Sequence, residues 1–273
     1  MNYSHAFHAG NFADLVKHTA LLAVLARLQA RGAPLSVIDT HGGRGIYDLS
    51  APEARRSAEA EKGVARLMDD AGPPEPVLAL RHAVRDLDPG PGARLYPGSP
   101  RLVADRLGPR DKLTAFELNP REAQALKAAL AGRRGIEVRE ADGFEGAPGL
   151  AAGEGARFIL IDPPFERGDD YARSAETLRR IQAHRPDAVV MIWLPLKDLE
   201  TFDAFLRDVG DCRDLLVAEV RLRPLRDPLK MNGCALVVAS APEGLDADLK
   251  AICGWTAAAL GETGEARVWR PGC

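Results

Sequence analysis

The segment "RFILIDPPF", residues 157–165, decides the fold class of this chain. Residues 158–161 form a continuous apolar run, as expected of a strand that is buried on both faces of a parallel sheet. The run ends at Asp162, and the two prolines that follow can neither donate to a sheet ladder nor continue a helix. A buried strand is therefore predicted to end at the sheet edge beside a carboxylate and the aromatic ring of Phe165.

Strands alternate with helices on both sides of this segment. The strand candidates are "LSVID", "LTAFE", "IEVRE", "RFILI", "AVVMIWLP", "LLVAEVRL" and "CALVVAS". This alternation predicts an α/β protein with a doubly wound, mostly parallel sheet of about seven strands. Ligands of such sheets bind outside the carboxyl ends of the strands, so the residues that follow each strand are the candidates for function.

Helices are predicted where apolar residues recur at helical spacing. The first covers about 11–30, a second begins at the capping pair Asn119 and Pro120, and a third lies near 171–184. The glycine-rich stretch "EGAPGLAAGEGA" is predicted to be a flexible loop.

The region 46–98 differs in character from the rest of the chain. It contains helical stretches near 53–69 and 77–87, separated and ended by proline and glycine, and no strand candidate. It is predicted to be a small helical subdomain, inserted into a catalytic domain formed by 1–45 and 99–273.

Composition excludes several classes of protein. Of the 273 residues, 46% are hydrophobic and 27% charged, which is ordinary for a soluble globular protein. There is no apolar run of about 18 residues and no secretory signal, so a cytoplasmic protein without a membrane partner is expected. The four cysteines form no CxxC pair, which argues against a metal site and against a disulfide framework. The formal net charge of −3 means that any nucleic-acid contact has to rest on local patches.

The turn "DTHGGRG" follows the first strand. Gly43 and Gly45 allow a tight turn and a close backbone approach to a ligand, and Asp39 ends the strand before them. The pattern suits a cofactor that contains adenosine, although it is not the full dinucleotide fingerprint. The alternative is a turn required only for packing.

Acidic residues end two later strands. Glu117 follows "LTAF" and is suited to accept hydrogen bonds from ribose hydroxyls, and Asp142 with Gly143 in "EADGF" is suited to accept one from an adenine amino group. Taken alone, Glu117 reads as solvated surface and Asp-Gly as a common turn.

The tetrapeptide "DPPF" suits chemistry on an amino group of a base. Such a nitrogen is a poor nucleophile because its lone pair is delocalised into the ring. Asp162 and the carbonyl of Pro163 can each accept one amino hydrogen and favour a reactive geometry, while Phe165 offers a face for stacking. The alternative is a strand-ending turn with a core phenylalanine.

The order of the four motifs on successive strand ends predicts a class I methyltransferase with a Rossmann-like sheet. Its methyl donor would be S-adenosyl-L-methionine, which becomes S-adenosyl-L-homocysteine, and its target an amino nitrogen. A DNA adenine or cytosine amino-methyltransferase fits "DPPF" equally well. A non-catalytic nucleotide-binding or RNA-binding module on the same fold is a third possibility, although such a module needs no amino-group acceptor.

Longer motifs carry a family resemblance. "YSHAFHAGNFADLVKHTAL", "DTHGGRGIYDL", "YPGSP", "FELNP", "EADGF" and "ILIDPPFE" resemble the 23S ribosomal RNA adenine-N6 methyltransferase J family of bacteria, over nearly the whole chain. The resemblance implies an S-adenosylmethionine-dependent enzyme that methylates N6 of an adenine in 23S rRNA. A monomer without a metal is expected. Phe165 departs from the tyrosine that the family often has there, which keeps the stacking face.

Site residues are implied by the same resemblance. Tyr3 corresponds to an aromatic that contacts the RNA, and Lys17 belongs to the same N-terminal motif, near the sulfonium pocket or a phosphate. The positions that correspond to cofactor contacts are His18, His41, Ser99, Glu117, Asp142, Gly143 and Asp162. Asp162 also corresponds to the catalytic acid.

Two groups of basic residues are predicted to bind RNA phosphates on either side of the opening of the active site. The first, on the insertion, comprises Arg55, Arg56, Arg66, Arg81 and Arg85. The second comprises Arg221, Arg223, Arg226 and Lys230. Acidic residues are interleaved with both groups, so the alternative is a solvated surface.

Overall fold

A sheet of eight strands forms the centre of the computed structural model, which describes residues 5–90, 92–210, 214–225 and 231–271. The strands within these residues are β1 (Leu35–Asp39), β2 (Ile46–Asp48), β3 (Leu95–Pro97), β4 (Lys112–Phe116), β5 (Ile136–Arg139), β6 (Ala156–Ile161), β7 (Val189–Leu196), β8 (Leu215–Arg221), β9 (Gly233–Ala239) and β10 (Glu265–Trp269). The sheet order is β5-β4-β1-β6-β7-β9-β8-β10, in which β9 and β10 run antiparallel to the others. The predicted α/β, mostly parallel, Rossmann-like sheet is confirmed.

Helices cover both faces of the sheet. Those in the described residues are α1 (Phe12–Gln29), α2 (Pro52–Ser57), α3 (Glu59–Lys62), α4 (Val64–Asp69), α5 (Glu75–Leu87), α6 (Ser99–Ala104), α7 (Pro120–Ala129), α8 (Gly143–Leu150), α9 (Asp170–His184), α10 (Leu199–Val209) and α11 (Leu245–Leu260). The side chains of Asn11 and Asn119 cap α1 and α7 by accepting backbone N–H bonds. No helix in the described part of the chain combines the length and apolar composition needed to cross a membrane.

Strand β6 shows why its sequence is continuously apolar. Phe158 and Leu160 point into the core on the side of α1 and α11, while Ile159 and Ile161 point into the core on the side of α8, α9 and α10. The strand is buried on both faces because helices cover both sides of the sheet, and β1 and β7 flank its two edges in the middle of the sheet. Its carboxyl end therefore lies at the centre of the sheet edge.

Three strands were not predicted. β10, an exposed edge strand, brings the sheet to eight strands instead of about seven. The expectation that 46–98 holds no strand is wrong, because β2 and β3 pair with each other in an antiparallel ladder. Strands of three residues are too short to show an alternating pattern in the sequence.

The first half of the stretch predicted as a flexible loop belongs to a helix. α8 begins after Asp142, whose carboxylate accepts the N–H of Phe144, and it extends to Leu150. Phe144 and Ala147 are buried against the core. Capping and burial thus override the poor helix propensity of the glycines.

The insertion 46–98 shares a core with the main domain. Leu67, Leu80 and Val84 belong to the same apolar cluster as the leucines of α1, and the backbone N–H of Val64 donates to the carbonyl of Gly10 at 2.8 Å. Its assignment as a separate subdomain stays a prediction.

Candidate active site

A cavity of about 850 Å³ lies at the carboxyl ends of β1, β4, β5, β6 and β7. The predicted site residues that line it are Lys17, His18, His41, Gly43, Ser99, Glu117, Asp142, Gly143, Asp162, Pro163 and Phe165. Asp39 is buried behind this lining, and Tyr3 lies outside the described residues. Four separate motifs and the N-terminal helix therefore converge on one volume.

The glycine turn after β1 is held against the neighbouring strand and helix. The N–H of Gly43 donates to Oε2 of Glu117 at 2.9 Å, and Arg44 forms a bidentate ion pair with Glu122 of α7. Gly43 has a φ of 60°, and a Cβ there would lie 2.2 Å from the hydroxyl of Tyr47. A side chain larger than glycine does not fit at this point of the cavity wall.

Glu117 is held by backbone amides. Its Oε1 accepts the N–H of Asn119 at 2.7 Å, in addition to the Gly43 contact on Oε2. Burial raises the pKa of this carboxyl, and the two amide contacts act against that rise. Each oxygen keeps a lone pair for a further donor, which suits a pair of hydroxyl groups. Leu118, next in the chain, lines the cavity and is 63% exposed, so it offers an apolar face to a flat ring.

Asp39 is a carboxyl group without a cation in direct contact. Its Oδ1 accepts the N–H of His41 at 3.2 Å, and its buried Oδ2 has no hydrogen-bond partner among the described residues. Burial raises the pKa of Asp39 to about 6, although the Ser99 hydroxyl and the His41 amide act in the opposite direction. Because Asp39 does not line the cavity, its contact with the cofactor stays a prediction.

Asp142 is held from two sides. Its Oδ1 accepts the N–H of Phe144 at 2.9 Å, and its Oδ2 accepts a hydrogen bond from Nη2 of Arg173 at 2.7 Å. Partial burial acts to raise the pKa of Asp142, but the Arg173 guanidinium lowers it below its ordinary value. At Gly143, a Cβ would lie 2.1 Å from the carbonyl oxygen of Thr40, so α8 approaches the end of β1 as closely as a glycine allows.

The two predicted histidines are neutral, His18 being buried and His41 half-buried. His41 lies with Nδ1 2.7 Å from the Thr40 hydroxyl, and burial lowers its pKa to about 4. His18 lies with Nδ1 2.8 Å from the hydroxyl of Tyr96, and burial lowers its pKa to about 3. Both can offer ring nitrogens to a ligand, and neither carries charge near neutral pH.

Lys17 connects the N-terminal helix to the end of β6. Its ammonium donates to Oδ2 of Asp162 at 2.5 Å and lies 2.9 Å from Oδ1 of Asp14. Burial alone lowers the pKa of Lys17, but the two carboxylates raise it above its ordinary value. Lys17 therefore stays charged and fixes one oxygen of Asp162, which leaves Oδ1 as an acceptor.

Asp14 was missed by the sequence analysis. It is 1% exposed and accepts hydrogen bonds from Nε2 of His5 and from the N–H of Gly10, both at 2.9 Å. Burial acts to raise the pKa of Asp14, but His5 and Lys17 hold it well below its ordinary value. The i,i+3 spacing of Asp14 and Lys17 on a helix was the signal that could have identified the pair.

Phe165 exposes less of its ring than an aromatic side chain that is free to stack on a base. It is 8% exposed and packs against Tyr171 and Trp193, with ring centroids 4.7 and 5.8 Å away. Its φ of 52° is unusual for an aromatic residue, and the aromatic cluster holds it in place. The ring lines the cavity, but little of its surface is free for stacking, and its contact with a base stays a prediction.

The basic residues at the cavity differ from those predicted to grip RNA. Arg167, Arg173 and Lys197 line the cavity. The predicted residues that are described but absent from its lining are Arg55, Arg56, Arg66, Arg81, Arg85, Arg221 and Arg223. Arg226 and Lys230 lie outside the described residues.

Comparison with known proteins identifies the family. A family model described as "Ribosomal RNA large subunit methyltransferase D, RlmJ" matches residues 32–270. The chain belongs to this family. The resemblance inferred from the N-terminal and strand-end motifs is thereby confirmed, and methyl transfer to ribosomal RNA is the function class of the chain.

Relatives match this family member over nearly their whole length. Ribosomal RNA large subunit methyltransferase J from Haemophilus influenzae is 29% identical over 256 residues, which cover 92% of this chain and 91% of the relative. The protein of the same name from Escherichia coli is 28% identical over 258 residues, which cover 93% and 92%. A solved structure of a Legionella pneumophila protein superposes with a TM-score of 0.89 at 26% identity, covering 96% of this chain and 98% of that one.

Proposed function

We propose that this rRNA methyltransferase transfers the methyl group of S-adenosylmethionine to the exocyclic N6 of an adenine in 23S rRNA. The observation that carries the proposal is the Lys17–Asp162 contact at 2.5 Å, at the end of β6. The contact commits one oxygen of Asp162 to Lys17 and leaves the other to a hydrogen-bond donor. An amino group is such a donor, whereas a hydroxyl or carbon target would not need the second acceptor that Pro163 supplies.

Residues that suit the methyl donor lie along β1, β4 and β5. The walls at Gly43 and Gly143, where a Cβ would collide, fit an extended ligand that approaches the backbone closely, and Asp39 is proposed to support that wall through the His41 amide. Glu117 is placed for ribose hydroxyls and Asp142 for the adenine amino group. When bound, S-adenosylmethionine supplies an electrophilic methyl group on a sulfonium.

Asp162 and Pro163 act on the target nitrogen. Oδ1 of Asp162 and the Pro163 carbonyl each accept one amino hydrogen, which draws the nitrogen lone pair out of conjugation with the ring. The nitrogen would then bond to the methyl carbon as the carbon–sulfur bond of the sulfonium breaks, which leaves S-adenosylhomocysteine, and one amino proton would pass to Oδ1 of Asp162 and from there to water. Lys17 keeps Asp162 in one orientation throughout, because its ammonium is itself fixed by Asp14.

The RNA substrate is proposed from the relatives, whose names specify large-subunit ribosomal RNA. Tyr3 is proposed to contact that RNA, and Phe165 to contact the target base with its exposed edge. A DNA amino-methyltransferase would need the same acceptors at Asp162 and Pro163, so the choice between the two substrates rests on the family.

The test is methylation of 23S rRNA from a strain without this methyltransferase. The purified protein is incubated with methyl-labelled S-adenosylmethionine, and the RNA is digested to nucleosides. We expect label in N6-methyladenosine, and equal amounts of genomic DNA should remain unlabelled. A Tyr3→Ala variant should lose turnover on RNA while keeping its affinity for S-adenosylhomocysteine. Label in cytosine, in the ribose or in DNA would contradict the proposal.

A further inference from the structure

Arg173 is a cavity residue that no motif singled out. It lies on α9, 31 positions after Asp142, and its Nη2 donates to Oδ2 of Asp142 at 2.7 Å. Its guanidinium carbon lies 4.4 Å from the centroid of the Phe144 ring, within the range of a cation–π contact. Both partners belong to the "DGF" segment at which the adenine of the cofactor is proposed to bind.

We infer that Arg173 is a positioning residue that fixes Asp142 as the acceptor for the purine amino group of the cofactor, and thereby makes the site selective for a 6-aminopurine. The inference rests on the proposed function, because it assumes that an adenosine cofactor occupies the cavity. Arg173 acts through Asp142 and takes no part in methyl transfer.

The hydrogen bonds that Asp142 already accepts leave it suited to a further donor. The Phe144 amide uses one lone pair of Oδ1 and Arg173 uses one lone pair of Oδ2. The remaining lone pairs accept but cannot donate, since the carboxylate is ionised. A purine amino group meets them with hydrogens. A keto oxygen at the same ring position would meet them with its own lone pairs.

Arg173 is needed because Asp142 is not deeply buried. Its side chain is 31% exposed, so without a cation it is free to rotate or to bind water instead of the ligand. The stacking of Arg173 on Phe144 restrains the guanidinium, and the edge of the His41 ring packs on the same phenylalanine with centroids 4.8 Å apart. Among the described residues, the only other carboxylate within ion-pair range of Arg173 is that of Glu145, whose Oε1 lies 3.9 Å from Nη2.

Arg180 provides a matched control. It lies on the same helix, contacts Glu145 at 3.3 Å and does not line the cavity. An Arg180→Ala variant therefore removes one charge from the same face of the protein without touching Asp142.

The experiment is isothermal titration calorimetry of S-adenosylhomocysteine and of its deaminated analogue, which carries hypoxanthine. The proteins are the wild type and the variants Arg173→Ala, Arg173→Gln, Arg173→Lys and Arg180→Ala. We expect the wild type to prefer S-adenosylhomocysteine about tenfold, because a carboxylate facing a keto group loses its donor. Arg173→Ala and Arg173→Gln should each weaken S-adenosylhomocysteine about tenfold and the analogue less than about threefold. Arg173→Lys should recover part of the preference, and Arg180→Ala should match the wild type.

Two results would overturn the inference alone: an Arg173→Ala variant that binds S-adenosylhomocysteine within about twofold of the wild type, or equal losses for both ligands. A wild type that binds neither ligand would overturn the proposed function as well. Unfolding curves of all variants show whether a loss of affinity follows a loss of fold, and Arg173→Gln, the closest neutral match in length, replaces Arg173→Ala if the latter is unstable.

Discussion

The two ends of the cavity hold their carboxylates in opposite ways. At the inner end, Asp14 and Asp162 share the ammonium of Lys17, a side chain that is only 6% exposed. At the outer end, Glu117 and Asp142 are partly exposed and receive backbone N–H bonds from the turns beside them. Charges therefore compensate one another at the inner end, whereas at the outer end backbone amides alone hold Glu117 and share Asp142 with the Arg173 guanidinium.

This difference bears on precision and on tolerance to substitution. Removing one member of a buried charge set leaves another charge without compensation, which typically costs about 3–5 kcal/mol. Removing a carboxylate that only accepts from backbone amides and faces water costs far less, since water can replace it. The inner end should thus be sensitive to any change, and the outer end should lose affinity gradually.

The largest effect is expected for Asp162→Ala. Without this acceptor the amino nitrogen stays conjugated, and the rate of methyl transfer should fall by about a thousandfold or more. Lys17 keeps Asp14 as a partner, so the fold should survive. Single-turnover methylation of 23S rRNA measures the rate, and S-adenosylhomocysteine titration should show affinity within about threefold of the wild type.

Asp169→Ala is the matched control for this variant, because Asp169 lies in the same loop, pairs with Arg167 and does not line the cavity. Substantial methyl transfer by Asp162→Ala, or an equal loss of rate in Asp169→Ala, would contradict the role of Asp162 as the acceptor required for methyl transfer.

Lys17→Met is expected to reduce stability most. It leaves Asp162 without its ammonium partner and Asp14 with only histidines as basic neighbours among the described residues, and the free energy of unfolding should fall by about 3 kcal/mol. Denaturant unfolding measures this loss. Lys250→Met, which removes an exposed lysine paired with Asp246 at 3.4 Å, should change it by less than about 0.5 kcal/mol. Similar losses of unfolding free energy in Lys17→Met and Lys250→Met would contradict the prediction that the buried ion pair contributes more to stability than the exposed one.

Asp39→Asn tests a carboxyl that is buried like Asp162 but lacks direct contact with a cation. Burial raises the pKa of Asp39 to about 6 in the folded chain, so the folded state binds its proton more tightly than the unfolded state does. The stability contributed by this group is therefore present below about pH 4 and is lost as the pH rises to about 6. The variant cannot titrate at this position and avoids the loss.

The measurement is denaturant unfolding of the wild type and Asp39→Asn between pH 4 and 7. The difference in unfolding free energy should shift by about 2 kcal/mol in favour of the variant across that range. A difference that does not change with pH would mean that burial of Asp39 imposes no penalty on its charge.

The smallest effect is expected for Glu117→Gln at the outer end. The amide keeps one oxygen for the Gly43 or Asn119 N–H, so the turn should hold, while one acceptor for the ribose is lost. The KM for S-adenosylmethionine should rise about tenfold with kcat nearly unchanged. Steady-state kinetics measure both, and Glu137→Gln, an exposed change that does not line the cavity, is the control. A fall in kcat as large as that of Asp162→Ala would contradict the prediction that Glu117 at the outer end affects cofactor binding and not methyl transfer.

Much of the fold and several site positions were predictable because they depend on local sequence. The apolar run of β6 and the glycine turn at Gly43 are continuous signals, and Asn119 caps α7 as its sequence indicates. The strand ends place Glu117, Asp142 and Asp162 at one edge, since parallel strands end on the same side.

What escaped prediction depends on contacts between distant segments. Arg173 has no motif of its own, and its role follows only from where α9 lies beside Asp142. α8 was read as a loop because its glycines have low helix propensity, whereas burial of Phe144 stabilises it. The exposed edge strand β10 lacks the apolar run that marks the central strands.

The contact between Lys17 and Asp162 joins positions 145 apart in the chain, which has a consequence for the order of synthesis. The ribosome makes α1 early, and Asp14 is available one turn away from Lys17 at once. The second carboxylate is added only after β6 has been translated. A nascent chain that stops before this point therefore holds α1 without its main tertiary ion pair, and it cannot assemble the catalytic end of the cavity however well its first strands have folded.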